Sequence, residues 1–137
     1  MIPNKIKIDL DGQKEMYTGI TLSTGDFNAY GLIFEFLKGG KEFDITGYNL
    51  SVYAMRSDSQ TPIPDVGRVE NGKGYYVIKP SMYAYEGQTR LEIILSDSVG
   101  SKVTKVLYFN VRSGFSASGG VVVDEVDYSV LQTLIQQ

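Results

Sequence analysis

Carboxylates are the main side chains with which this sequence could do chemistry, because its 137 residues include no His and no Cys. The most frequent general base, metal ligand and nucleophile of enzymes are therefore missing. Asp9, Asp11 and Gly12 resemble the start of a calcium-binding loop, but Gln13 and Ile20 occupy later positions of that loop and break its pattern. A strand followed by a polar turn is the better interpretation of this segment.

A second acidic group, Asp124, Glu125 and Asp127, could hold a cation. The same residues would crowd the first turn of a helix, where exposed amides and the helix dipole favour negative charge, and this interpretation needs no metal. Gly25-Asp26 could belong to a ligand-binding loop, although a turn is the favoured explanation. Gly119-Gly120 is not followed by Lys and Ser or Thr, so the sequence contains no phosphate-binding loop of that type.

Tyrosine is abundant, with ten in the chain, and Tyr75, Tyr76, Tyr83 and Tyr85 are candidates for stacking against sugar rings. Burial on strand faces is the favoured interpretation of these four side chains. No convincing carboxylate pair accompanies them, which argues against a cell-wall hydrolase. The sequence thus predicts that the protein is not an enzyme, with no catalytic, cofactor-binding or metal-binding residue and no cofactor.

Charge and hydropathy limit the partners of the chain. Its 13 basic and 16 acidic residues give a net charge of −3, which is unsuited to binding a phosphate backbone. No apolar run approaches the length of about 18 residues that a membrane helix needs, and Met1 to Leu10 lack the apolar core of a secretion signal. We therefore expect no nucleic acid, no membrane insertion, and synthesis and folding in the cytoplasm.

Short segments of alternating apolar and polar residues predict β-strands. The residues predicted to face inward are Ile6, Ile8, Leu10, Leu32, Phe34, Phe36, Leu50, Val52, Ala54, Leu91, Ile93, Leu95, Leu107, Phe109 and Val111. Strands without intervening helices favour two packed sheets over a βαβ arrangement. We expect an all-β domain over residues 1–112, an antiparallel β-sandwich (Ig-like or jelly-roll-like) of about 7–8 strands.

Turn residues divide these strands. Gly39-Gly40 and Asn71-Gly72 predict hairpin turns. Residues Ser57 to Pro64 predict a loop, and Val66 to Val69 an edge strand. Residues Ser81 to Gly87 are too few for a stable helix and predict a turn or a single helical loop.

The character of the chain changes after the last strand. Residues 113–123 have the composition of a Gly/Ser linker. Residues 124–137 predict the start of an amphipathic helix that looks truncated, as though a helical stem continues. A helix of this length is marginal in water, so it either packs back on the sandwich or meets copies of itself.

A short seam lies along the predicted helix. Tyr128, Leu131 and Ile135 have the 3-then-4 spacing of a heptad repeat, and Leu134 widens the stripe. These four residues are the predicted oligomerisation site.

Several segments, taken in order, resemble the N-terminal domain of phage baseplate upper proteins. They are Thr18 to Asn28, Leu32 to Leu37, Gly40 to Gly47, Gly74 to Ile78, Ala84 to Gly87 and the pair Asp127-Tyr128 before Leu134-Ile135. The family typically has a Gly-Asp-x-Asn element, an apolar strand and an Asp-Leu-Thr-Gly turn, which Asp44 to Gly47 match with Ile in place of Leu. The resemblance covers most of the chain and is weakest between Ser57 and Gly72.

The resemblance implies a structural protein of the tail baseplate of a phage or prophage of Gram-positive bacteria. The β-sandwich would anchor to the central tail or baseplate hub, and the helix would lead to a homotrimeric stem that carries host-recognition parts. Other baseplate and tail proteins would be its partners, and the virion its location. The alternative function is a carbohydrate-binding module that recognises a host cell-wall polysaccharide, which the tyrosine content suggests.

Overall fold

Alternating sequence patterns produce ten strands in the computed structural model of the chain, which describes residues 2–27 and 29–113. The strands are β1 Ile2–Asp9, β2 Glu15–Ser23, β3 Tyr30–Lys38, β4 Lys41–Glu42, β5 Asn49–Met55, β6 Ile63–Val66, β7 Arg68–Glu70, β8 Lys73–Val77, β9 Gly87–Ser96 and β10 Lys102–Arg112. A single 3₁₀ turn, Pro80–Tyr83, lies between β8 and β9.

These strands form two five-stranded sheets that pack face to face. Sheet A has the order β1-β3-β8-β7, with β4 added to the end of β3, and sheet B has the order β2-β10-β9-β5-β6. The predicted all-β sandwich is confirmed. Its sheets are mixed, because β1 runs parallel to β3 and β2 runs parallel to β10, whereas the other pairs among the described strands are antiparallel.

The parallel pairs follow from the way the chain alternates between sheets. After β1 in sheet A the chain enters sheet B as β2 and returns to sheet A as β3. Two reversals restore the original direction, so β1 and β3 are parallel neighbours. A prediction of antiparallel pairing from short strands and turns assumes that consecutive strands are neighbours in one sheet, and here they are not.

The strand β2 was absent from the sequence prediction because its alternation is broken. Gly19 has a φ of 74°, and the register of β2 against β10 shifts between Tyr108 and Asn110. Thr18 Oγ1 donates to the Tyr108 carbonyl at 2.8 Å and accepts the Ile20 N–H at 3.1 Å, which closes this bulge. A bulge in mid-strand hides the period of two from a pattern search.

The core lies between the two sheets and includes the predicted inward faces. Fourteen of the fifteen residues predicted to face inward are buried, and Leu10 is half-buried. The largest fully buried side chains include Phe34, Phe36, Phe109 and Tyr83. Tyr83 comes from the 3₁₀ turn rather than from a strand, so the short helical loop predicted over Ser81 to Gly87 also contributes to the core.

The predicted hairpin turns are confirmed. Gly39-Gly40 connects β3 to β4, and Asn71-Gly72 connects β7 to β8, with positive φ at both residues of each turn. The loop predicted over Ser57 to Pro64 ends earlier than expected, because Ile63 and Pro64 belong to the edge strand β6. The edge strand predicted from Val66 to Val69 is interrupted at Gly67, where the chain leaves sheet B and enters sheet A as β7.

Gly67 is a point of close approach between the sheets. Its N–H donates to the Leu50 carbonyl at 2.9 Å. A Cβ at this position would lie 2.5 Å from Leu50 Cδ2 and 3.1 Å from the Tyr75 carbonyl oxygen. Only glycine leaves room here for the buried Leu50 side chain.

We expect Gly67→Ala to lower the free energy of unfolding by about 1–3 kcal/mol, the usual cost of adding volume to a packed core. In a protein that already carries Leu50→Ala, the change Gly67→Ala should cost much less stability, because the side chain that would clash with the new methyl group is gone. Urea unfolding of the four proteins in this cycle measures the coupling. If the stability changes of the two single variants simply added in the double variant, a clash with Leu50 would not be the cause of the destabilisation.

Candidate assembly surfaces

The acidic segment that resembles a calcium loop is a turn between the sheets. Asp9 Oδ1 accepts the Asp11 N–H at 3.0 Å, and Asp11 Oδ2 accepts the Gly39 N–H at 3.1 Å. Gly12 N–H donates to the Asp9 carbonyl at 3.0 Å. The carboxylates therefore organise the turn, and the described residues contain no group of three or more potential metal ligands.

The Gly25-Asp26 segment is likewise a turn, as predicted, and a network of tyrosines holds it. The Tyr30 hydroxyl donates to Asp26 Oδ2 at 2.6 Å and accepts the Ser23 N–H at 2.8 Å. The Tyr83 hydroxyl donates to the Asp26 carbonyl at 3.0 Å, and the Tyr30 and Tyr83 rings meet edge to face at 5.2 Å. Burial raises the pKa of Tyr83, as do the neighbouring Tyr30 and Asp26.

The four tyrosines considered for sugar stacking are not brought together on one surface. Tyr76 and Tyr83 are buried in the core. Tyr75 lies on the outer face of sheet A beneath the Arg68 guanidinium at 4.9 Å. Tyr85 lies at one end of the sandwich beneath the Arg56 guanidinium at 4.8 Å. These positions remove the stacking platform that motivated the carbohydrate-binding alternative.

Tyr76 belongs to a polar group at the margin of the core. Its hydroxyl donates to Asp65 Oδ2 at 2.6 Å, and the Lys79 ammonium lies 3.0 Å from the same oxygen. Burial opposes the charge of Asp65, but hydrogen bonds from Tyr76, the Val66 N–H and Lys79 outweigh it and lower the pKa of this carboxyl. Burial and the bond to Asp65 raise the pKa of Tyr76.

A buried lysine supports the turn between β1 and β2. Lys105 is only 5% exposed, and its ammonium donates to the carbonyls of Gly12 and Gln13 at 3.0 and 3.1 Å. The sequence prediction missed this role. Lys105 lies two residues before Leu107 and four before Phe109, so alternation along β10 puts it on the same, inner face. This spacing is the signal that could have predicted its burial.

The outer face of sheet A carries a row of alternating charges. Strand register sets Lys7 beside Glu35 and Lys73 beside Glu70, and an ion pair between Lys73 and Glu35 joins the two pairs. Lys73 Nζ lies 3.1 Å from Glu35 Oε2. The hydrogen bond from Lys73 lowers the pKa of Glu35 most, desolvation opposes it, and the charges of Lys73, Lys5 and Lys7 lower it further. This face is therefore ordered by charge pairing.

The outer face of sheet B is more aromatic. The Tyr17 and Tyr108 rings stack at 4.6 Å with an interplanar angle of 18°, and Tyr17 is 72% exposed. Tyr53 is also exposed and borders a shallow depression that Arg90 and Val106 help to line. The two outer faces thus offer partners different chemistry.

Both ends of the described chain lie at one end of the sandwich, here called the exit end. Ile2 pairs with Tyr30, the Tyr30 hydroxyl binds the Ser23 N–H, and Ser23 pairs with Arg112. The Ser113 N–H then donates to a carboxylate oxygen of Glu86 at 3.1 Å. The first and last described residues therefore lie at the same end of the sandwich.

The predicted linker and helix lie outside the described residues apart from Ser113. The seam residues Tyr128, Leu131, Leu134 and Ile135 and the acidic residues Asp124, Glu125 and Asp127 belong to this part of the chain. Their predicted roles remain predictions.

The sandwich thus carries paired charges on one outer face, stacked aromatic rings on the other, and both ends of the described chain at its exit end. The chain belongs to the BppU N-terminal domain family, whose model matches residues 2–137. The family is that of the N-terminal domain of baseplate upper proteins, so the resemblance predicted from sequence is confirmed. The protein is a structural component of a phage tail baseplate, and its partners are other tail and baseplate proteins.

A solved structure has a similar fold. The N-terminal domain of phage TP901-1 ORF48 superposes with a TM-score of 0.62 at 14% sequence identity, over 82% of this chain and 99% of that one. At this identity the likeness concerns the fold. None of the curated proteins matches the chain. Within the described residues no helix is long and apolar enough to cross a membrane.

We expect Tyr76→Phe to lower the free energy of unfolding at neutral pH by about 1.5–3 kcal/mol, the usual value of a hydrogen bond to a charged group. Because the pKa of Asp65 is lowered from its ordinary value of 3.8, ionised Asp65 stabilises the fold above that value. This stabilisation is lost as pH falls through the lowered pKa. The difference between wild type and variant should therefore shrink in acid.

Urea unfolding at neutral pH and near pH 3 measures this difference. Tyr75→Phe is the matched control, because Tyr75 is only half-buried and its ring contact with Arg68 does not need the hydroxyl. It should change stability by no more than about 0.5 kcal/mol. An equal loss for Tyr76→Phe at both pH values would show that Asp65 is not responsible.

Proposed function

We propose that this domain is a non-enzymatic attachment module that anchors a longer protein to the central tail or baseplate hub. Membership of the baseplate upper protein family carries the proposal. The sandwich supports it, since the candidate carboxylates among the described residues, Asp9, Asp11 and Asp26, are engaged in hydrogen bonds that hold turns. Synthesis takes place in the cytoplasm of the host, a Gram-positive bacterium, before assembly into the virion.

In this proposal the linker and stem project from the exit end of the sandwich. Residues 113–123 serve as the linker and residues 124–137 begin a homotrimeric stem, with Tyr128, Leu131, Leu134 and Ile135 in its seam. The stem carries host-recognition parts away from the hub. Because both ends of the described chain lie at the exit end, the side of the sandwich and its opposite end stay accessible to the hub.

Immunogold labelling of the cognate phage with antibody against residues 1–112 tests the location. We expect gold particles at the tail tip, and co-purification of the protein with the hub after gentle disruption of the tail. Virions without the protein would contradict the proposal. A glycan array probed with the same domain tests the carbohydrate-binding alternative. We expect the domain to bind no host cell-wall polysaccharide.

Oligomeric state tests the stem. We expect residues 1–137 to be monomeric or weakly associated, because four seam residues are too few to hold a coiled coil. A longer form in which the heptad pattern continues should be a trimer, and Leu131→Asp should weaken it. Light scattering measures both masses. A longer form with intact seam that remains monomeric would refute the trimeric stem.

A further inference from the structure

Among the described strands, β1 has a neighbour on one side and an open edge on the other. Within that part of the chain its one partner is β3, in an unbroken parallel register from Ile2 to Asp9. In a parallel pair, the N–H and C=O of one residue point to the same side, and consecutive residues alternate. The Leu10 N–H donates to the Leu37 carbonyl, so the even-numbered residues face β3. The main-chain groups of Lys5 and Lys7 therefore point to the open side.

The other edges of the described sheets are less suited to pairing with another chain. Strand β2 is bulged at Gly19, where its register shifts. Strand β6 contains Pro64, which has no N–H to donate. Strand β7 has only three residues and β4 only two. Short, bulged and proline-interrupted edges resist strand addition, whereas a longer regular edge invites it. Strand β1 has a proline of its own, Pro3, so the regular part of its open edge runs from Asn4 to Asp9.

The charge on β1 selects what can pair with it. Lys5 and Lys7 are exposed on the outer face, and the carboxylate nearest in the charge row, Glu35, already binds Lys73 at 3.1 Å. Two ammonium groups along one edge disfavour a second copy of β1, since like charges would then be aligned. They favour an added strand with carboxylates at the positions beside them. Because Asp9 at the end of β1 is itself negative, the preference for carboxylates in the added strand applies only to the part of the edge that contains Lys5 and Lys7.

The inner side of the same edge is apolar. Turn residues 10–14 join β1 to β2, the edge strand of the facing sheet. Leu10, Met16 and Ile20 pack on the core but stay only half-buried. A strand added beside β1 would place alternate side chains between the sheets at this margin. Apolar side chains there would extend the core.

We propose that the open edge of β1 binds an extended segment of a neighbouring baseplate protein that alternates acidic and apolar residues. The segment adds to sheet A as a sixth strand, with its carboxylates beside Lys5 and Lys7 and its apolar side chains toward Met16 and Ile20. This inference rests on the proposed attachment function and names the chemistry of its partner. Main-chain hydrogen bonds supply affinity, and the alternating pattern supplies specificity.

A synthetic peptide, acetyl-Val-Glu-Val-Asp-Val-Glu-Val-amide, tests the edge directly. Titrated against residues 1–137, it should bind and slow the hydrogen exchange of the Lys5 and Lys7 amides. A peptide with Lys at each acidic position should not bind. The variant with Lys5→Glu and Lys7→Glu should bind the acidic peptide about tenfold more weakly, because two charge pairs become repulsive. Lys102→Glu, a charge reversal on β10, should bind as wild type does.

A second pair of variants separates main-chain pairing from charge. Lys7→Pro removes the N–H that faces the open edge and should abolish peptide binding, whereas Lys7→Thr keeps that N–H and should bind more tightly than Lys7→Pro. Thermal unfolding of each variant shows that the fold is retained. Equal binding by Lys7→Pro and Lys7→Thr, or protection of β2 amides instead of β1 amides, would overturn the proposal. So would no binding of the acidic peptide, or wild type dimers that form through β1.

Binding to the purified baseplate hub distinguishes this inference from the proposed function. Wild type that binds the hub, with loss of binding in the Lys5→Glu and Lys7→Glu variant, supports both. Hub binding that is unchanged in that variant overturns the β1 site and leaves the attachment function standing. Wild type that binds no baseplate protein contradicts the attachment function, while the peptide titration still decides whether β1 accepts a strand.

Discussion

Repeated passage of the chain between the two sheets is the constraint on which the rest of this structure depends. The chain crosses after β1, β2, β4, β6 and β8, and each crossing takes polar main-chain groups over the rim of an apolar core. Particular groups hold three of these crossings. Lys105 binds the carbonyls of the first crossing, Tyr30 and Tyr83 hold the second, and Gly67 lets the fourth pass close to Leu50. The mixed sheets are a direct result of this path.

Two of the segments that resemble the family, Gly40 to Gly47 and Ala84 to Gly87, include crossings between the sheets. Asp44 Oδ1 accepts both the N–H and the hydroxyl of Thr46, at 2.9 and 2.6 Å, and these two hydrogen bonds lower the pKa of Asp44. Ile45 is fully buried, and Gly47 has a φ of 90° that few other residues tolerate. The Asp-Ile-Thr-Gly motif thus builds a turn that directs the chain from sheet A to sheet B. Motifs of this kind identify the fold while leaving the contact surfaces free to vary.

Local sequence was sufficient to predict the inward faces from their periodicity and the two glycine-containing hairpins from their turn residues, because each depends on neighbouring residues. The parallel pairing and the edge position of β1 depend on which sheet each strand enters, and no local pattern records that choice. Burial of Lys105 could have been inferred from parity along β10. The hydrogen bond between Asp65 and Tyr76 could not have been inferred in this way. These two residues come together only because the chain crosses from one sheet to the other at Gly67.

The position of β10 has a mechanical consequence. This strand lies inside sheet B, paired with β9 from Lys102 to Val111 and with β2 up to Arg112, and it ends at the exit end, one residue before Ser113. Tension applied beyond Ser113 therefore pulls along the axis of β10. The hydrogen bonds on both of its sides lie across that axis and are loaded together in shear, rather than being opened one after another. In the proposed attachment role, this arrangement would supply resistance to force that is separate from thermodynamic stability.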